Sequence, residues 1–182
     1  MRFVERKWTR EKARKRRGSA TVELPVALWI LVFVFLFPLI DLATIGLRTS
    51  FLYAALHQAT WEAARAHTFQ NSLDSQKPAV QLANDTANSI VKQFNGIALT
   101  SIQTKILTTN IATSAVTSQS TPLSAPADQS QNIYQIQVTL KGSITPLVLW
   151  HEKLAAIPGM TAPLSIQLCD SQYCENTQGL NK

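Results

Sequence analysis

At 182 residues the chain is the length of one modest domain, and 46% apolar residues with two cysteines exclude collagen-like, disulfide-dense and wholly disordered classes. A net charge of +6 raises nucleic acid as a partner, but the charge is not spread along the chain. Residues 1–17 hold nine basic side chains (Arg2, Arg6, Lys7, Arg10, Lys12, Arg14, Lys15, Arg16, Arg17) against Glu5 and Glu11, a net of +7, which leaves the remainder at −1. A near-neutral body with a cationic head is not a basic domain, so nucleic acid is set aside as a partner.

The next segment explains the head. Residues 24–40 run without a charge from Leu24 to Ile40, and Asp41 alone interrupts the apolar character before Leu47. As a helix, 17 residues cover about 26 Å and the longer count about 36 Å, enough to cross a hydrocarbon core of about 30 Å. A helix apolar on every face could also be the buried centre of a soluble protein, but the rest of the sequence offers few apolar runs to surround it. The span therefore reads as a membrane helix, with Asp41 solvated near the far interface. Nine cations before it, and only Arg48 and Arg65 soon after, place the N-terminus in the cytoplasm and export the C-terminal body. An ordinary secretory signal is the nearest competitor, but the run is longer than an h-region of roughly 7–15 residues and no A-x-A site follows it.

The junction between head and span reads Arg17, Gly18, Ser19, Ala20, Thr21, Val22, Glu23, Leu24: a glycine after basic residues, then a carboxylate five positions on at the mouth of the apolar helix. Here the sequence resembles the type IV prepilins, and within them the TadE-like minor pseudopilins of tight-adherence (Tad) pilus systems. The resemblance continues in Trp61, Glu62, Ala63, Ala64, Arg65, Ala66, similar to an Ala-rich family stretch, so that it covers about residues 14–69. Leu24 stands where those proteins usually have an aromatic residue, and Pro25 is a further departure. The resemblance implies cleavage by a membrane prepilin peptidase after Gly18, with Ser19 as the new amino terminus. It implies that Glu23 is an assembly carboxylate, pairing with the freed amine of a neighbouring pilin subunit. Physical chemistry is compatible: glycine gives a protease close backbone access, and a carboxylate inside a bilayer, costing about 2.5–3.5 kcal/mol on insertion scales, marks a pairing site. Taken singly, Gly18 reads as a helix boundary, Ser19 as an N-cap and Glu23 as a first-turn carboxylate.

Beyond the span, Leu52, Leu56, Ala59, Ala63 and Ala66 form an amphipathic stripe over 48–69 that packs on the protein's own exported domain, with Glu62 and Arg65 spaced to pair on its surface. Pro78 opens a second helix carrying Val80, Ala83, Ala87, Ile90, Val91 and Phe94, stopped at Asn95 and Gly96. Residues 97–111 suggest a strand through Ile102, Thr104, Ile106 and Thr108. Residues 113–131, rich in Ser, Thr, Gln, Ala and Pro, read as a flexible loop. The clearest strand is 133–141, where Tyr134, Ile136, Val138 and Leu140 alternate with polar residues until Gly142 ends it. A second strand or a bend at Pro146 follows over 144–150, then a helical turn at 151–157, and a last strand in which Leu164, Ile166 and Leu168 alternate up to Cys169.

These elements make an α+β protein: a long N-terminal transmembrane and amphipathic helix packed on a small antiparallel sheet, as in a pilin. The domain reading is a basic leader at 1–18, a transmembrane helix at 19–47 and an exported domain at 48–182, helical over 48–95 and β-rich over 97–182. Cys169 and Cys174 would close a short disulfide loop in an oxidising compartment, or remain free thiols. Two cysteines without clustered histidines make no zinc site. Serine-hydrolase, Walker, dinucleotide and zinc-protease motifs are absent, and His57, His67 and His151 lack ligand spacing, so neither an enzyme nor a cofactor is expected. The functional expectation is a minor pseudopilin of the inner membrane that works by assembly with other pilins and the pilus platform, for adhesion or surface colonisation. The alternatives are an unprocessed single-pass subunit of a secretion or pilus machine and, more distantly, a membrane-tethered hydrolase.

Overall fold

The computed structural model describes residues 23–73, 75–148, 159 and 161–182. The expected leader and the expected turn at 151–157 lie outside them.

One helix, α1 (Glu23–Ala64), runs through both the apolar segment and the stripe that follows it. At 1.5 Å per residue its 42 residues extend about 63 Å. Leu31–Leu36 widens into a π-helical stretch in which the Phe37 N–H bonds to the Val32 carbonyl. Pro38, in the next turn, supplies the reason: it has no N–H for the carbonyl four residues back and its ring crowds that group, so the turns before it relax to a wider spacing. The first half of α1 is exposed around its circumference, from Leu24 to Ile40. The second half buries Leu52, Ala55, Leu56, Ala59, Thr60, Ala63 and Ala64, a stripe at three- and one-residue steps that includes the positions the sequence marks. Ala66, just past the helix, is also buried. Thr60 is accommodated because its hydroxyl donates to the Leu56 carbonyl at 2.8 Å.

The helix stops at Ala64, short of the expected 69. The Glu175 N–H caps the Ala64 carbonyl at 3.0 Å, and the Phe69 N–H bonds to the carbonyls of Gly179 and Lys182, so the chain leaves the helix to pair with the C-terminal segment. Arg65 does not pair with Glu62 as its spacing suggested. It lies over the Trp61 ring at 4.4 Å with Nε 3.6 Å from Glu175, while Glu62 accepts from Gln58 at 3.1 Å. Helix α2 (Ala79–Val91) buries Ala79, Ala83, Ala87 and Val91, one residue per turn, against α1. Phe94 stacks on Phe51 of α1 with centroids 4.1 Å apart. Gly96 then turns the chain at φ +83°, where any Cβ would strike the Arg48 guanidinium.

Four strands form an antiparallel sheet in the order β2-β1-β3-β4: β1 (Ile97–Asn110), β2 (Val116–Gln119), β3 (Asn132–Ile144) and β4 (Leu164–Tyr173). Tyr134, Ile136, Val138, Leu140 and Ile144 of β3 are buried on one face, and with Ile106 of β1 and the stripe of α1 they form the core. Gly142 does not end β3. A Cβ there would lie 3.1 Å from the Ala98 carbonyl oxygen and 3.2 Å from a Leu52 methyl, so the glycine is where the strand passes close to α1 and continues to Ile144. The expected loop at 113–131 is also corrected. Asn110 Oδ1 accepts the N–H groups of Ala112 and Thr113 to make a turn, and Val116–Gln119 pairs with Ile106, Leu107, Thr108 and Thr109 as an edge strand. Its largely polar composition follows from exposure at the sheet edge, where no apolar alternation is required. The same segment is tied down further on, by Leu123 N–H to the Leu180 carbonyl and Asp128 N–H to the Tyr134 hydroxyl.

Candidate membrane and assembly surface

Of the expected site residues, Gly18 and Ser19 lie outside the described structure. Glu23 stands at the first described position of α1, exposed, below the ring ladder of Trp29, Phe33 and Phe37, whose centroids are 4.5 and 5.2 Å apart along one helix face. Within the described residues α1 is the one helix long and apolar enough to cross a membrane, with a mean hydropathy of 2.6 over its most apolar window. Only 6% of that window is buried within the protein, which sets it apart from the central helix of a soluble core.

The structure corrects the placement of Asp41. Its side chain is not solvated: the residue is 1% exposed, and its Oδ1 accepts the Val148 backbone N–H at 3.0 Å. Two turns further along α1, the Arg48 guanidinium donates to the Thr145 carbonyl. The chain leaving β3 thus comes back onto α1 at two charged positions, between which Gly159 packs close to Ile45.

Cys169 and Cys174 are free thiols. Of the two expectations, a disulfide loop or free thiols, the geometry fits the second: β4 stays extended through Tyr173, and five residues of strand at about 3.3 Å each put the two Cα atoms about 16 Å apart, beyond the limit of about 7 Å for a disulfide. Burial pushes the Cys174 thiol up to about 11, whereas Cys169 faces solvent.

Two arrangements escaped the sequence reading. His57 on α1 meets Asp170 of β4 with Nδ1 and Oδ2 2.8 Å apart, joining residues whose separation in sequence hides them from any local pattern. A cleft of about 430 Å³ at the far end of the domain is lined by Glu62, Arg65, Ala66, His67, Gln76, Lys77 and Leu82, a mixture of charges without a nucleophile and base in contact. Among the described residues no three His, Cys, Asp or Glu side chains gather where a metal ion could be held. The chemistry on view is that of surfaces: an apolar helix face, a capped carboxylate at its upper end and a small sheet domain fastened above.

No protein-family model, no characterised protein and no solved structure matches the chain.

Proposed function

We propose that the chain is a minor pseudopilin of the TadE-like kind, held in a bacterial cytoplasmic membrane by α1 with its sheet domain exported, and acting by assembly with other pilins. The observation that carries this reading is the continuity of α1. One helix, apolar and exposed on all faces below Asp41, becomes the spine of an α+β head above Arg48, so a single continuous helix joins the apolar part to the domain it presents. The ordered set Gly18, Ser19 and Glu23, which precedes the apolar run in the sequence, supports the processing and register elements of a prepilin. In this reading a prepilin peptidase cuts after Gly18 and removes the +7 leader. Glu23 then pairs with the Ser19 amine of a neighbouring subunit, and the Trp29, Phe33 and Phe37 face packs helix against helix.

Sequencing the amino terminus of the protein extracted from membranes tests the proposal. Ser19 is the expected first residue. Met1 would replace the pseudopilin with an unprocessed single-pass subunit of a secretion or pilus machine, and a start after about residue 43 would make the apolar segment a removed signal. The assembly role is tested separately: Glu23→Gln and Glu23→Ala should be cleaved yet fail to enter pili, and unchanged incorporation refutes it.

A further inference from the structure

The chain segment that follows β3 returns to α1 at the level where the helix changes surroundings. Counting from Leu24, Asp41 lies about 26 Å along the axis, within reach of the upper edge of a hydrocarbon core of about 30 Å, and Arg48 lies about 10 Å higher. At the lower position Asp41 is buried and accepts the Val148 N–H, and at the upper one Arg48 donates to the Thr145 carbonyl. A carboxylate in water needs no such cover. A carboxylate at the edge of a bilayer has lost much of its water, and a backbone N–H brought to it by a folded-back loop replaces that solvation. The side chains beside this contact are apolar and open: Leu147 is 57% and Val148 38% exposed, at a height on the axis where the helix residues Leu39, Leu42 and Leu47 are also exposed. The other end of the sheet, at β2, points away from this level, because β3 descends from Tyr134, near the top of α1, to Ile144, near Arg48.

From this we infer that residues 145–148 form a foot on the outer leaflet of the bilayer, with Leu147 and Val148 set into the lipid and Asp41 as the positioning residue that fastens the foot to the helix. The head therefore sits flush on the membrane at a fixed height and does not swing on a single helix. The inference rests on the reading of α1 as a membrane span, and its occupant is lipid; a second copy of the chain on the same surface is the competing outcome.

The test uses the full chain with Cys169→Ser and Cys174→Ser, reconstituted in phosphatidylethanolamine and phosphatidylglycerol vesicles containing shallow spin-labelled lipid. An environment-sensitive fluorophore is attached at Leu147→Cys, at Leu36→Cys within the span, or at Val116→Cys on the far edge strand. The expected result is blue-shifted emission at Leu147→Cys and quenching several-fold stronger than at Val116→Cys. Adding Asp41→Ala should bring the Leu147→Cys signal towards that of Val116→Cys while leaving Leu36→Cys unchanged. Quenching at Leu36→Cys with none at Leu147→Cys overturns the foot and leaves the span standing. No quenching at either site overturns both. Cross-linking of two chains by added copper-phenanthroline and oxygen in a parallel sample with unlabelled Leu147→Cys, together with no quenching in the labelled one, assigns the surface to a second copy and overturns the lipid contact. Quenching that ignores Asp41→Ala overturns the role given to Asp41.

Discussion

The attachment of the sheet to α1 is tested most sharply at Gly142. A methyl added there meets the Ala98 carbonyl oxygen at 3.1 Å and the Leu52 methyl at 3.2 Å, and Leu52 is itself fully buried, so neither neighbour has room to retreat. Replacing a strand glycine with alanine would otherwise stabilise by about 0.5–1 kcal/mol through the unfolded chain. Overpacking a dense contact costs about 1–3 kcal/mol, so Gly142→Ala should be destabilising by up to about 2.5 kcal/mol net, about 1 kcal/mol at the centre of the ranges. Gly142→Val should be worse. Leu52→Ala alone should cost about 3–5 kcal/mol, because it opens a cavity at the centre of the core. The informative quantity is the double variant. With Leu52 shortened, the methyl of Gly142→Ala enters the space vacated, and the two changes should be non-additive by about 1 kcal/mol in the favourable direction. Denaturant unfolding of the full chain in detergent micelles, followed by near-ultraviolet circular dichroism, measures all four corners of the cycle. A neutral or stabilising Gly142→Ala together with strict additivity would refute the packing of β3 on α1 at this point, and with it the account of why β3 runs past its glycine.

The two thiols should behave differently. At pH 8 iodoacetamide should modify Cys169 at least about tenfold faster than Cys174, since the latter is held protonated by burial, and intact mass without reductant should show no loss of two hydrogens within one chain. With its pKa raised from 9.0 to about 11, Cys174 leaves the native state holding a proton that the unfolded chain has lost. Its contribution to stability is therefore complete below pH 9 and declines between pH 9 and 11; Cys174→Ala should flatten that part of a pH-stability profile. Phe51→Leu and Phe94→Leu should couple by about 0.5–1.5 kcal/mol in a double cycle, as stacked rings do. Arg65→Ala should cost less than about 1 kcal/mol in thermal unfolding, because its partner Glu175 and its own charge are exposed.

The elements legible in advance are those whose partner is generic. The stripe from Leu52 to Ala66 and the alternation from Tyr134 to Leu140 each need only an apolar surface opposite, and periodicity alone reveals them. What was not legible depends on particular distant partners. Gly142 reads as a strand end until Leu52 is seen beneath it, Val116–Gln119 reads as loop until β1 offers its free edge, and Arg65 reads as Glu62's partner until Glu175 arrives 110 positions later. The choice between a disulfide and free thiols was open for a related reason: the spacing of the cysteines is short in sequence, but an extended strand converts it into distance. Of the proposed site, the apolar face and Glu23 were visible as composition, whereas the burial of Asp41 was not, since nothing near it in sequence supplies the Val148 N–H.

Asp41 also changes what the helix means. A span that ended in a solvated carboxylate would leave the head free to tilt about the interface, and any register set by Glu23 at the bottom would be lost at the top. With Asp41 and Arg48 both engaged by the segment after β3, the sheet is fixed to the helix from just above the apolar run to its last turn, where Glu175 caps Ala64. The position of the head is then determined by the position of α1. In an assembly packed through that helix, a small axial step between neighbouring subunits at Glu23 would be reproduced without slack between neighbouring heads. An unprocessed anchor has no need of such rigidity, because a tethered domain functions at any angle. If the chain works as the pseudopilin proposed above, these contacts at both ends of the junction would carry the helix position to the head, and Asp41→Ala should then impair incorporation into pili while leaving cleavage intact.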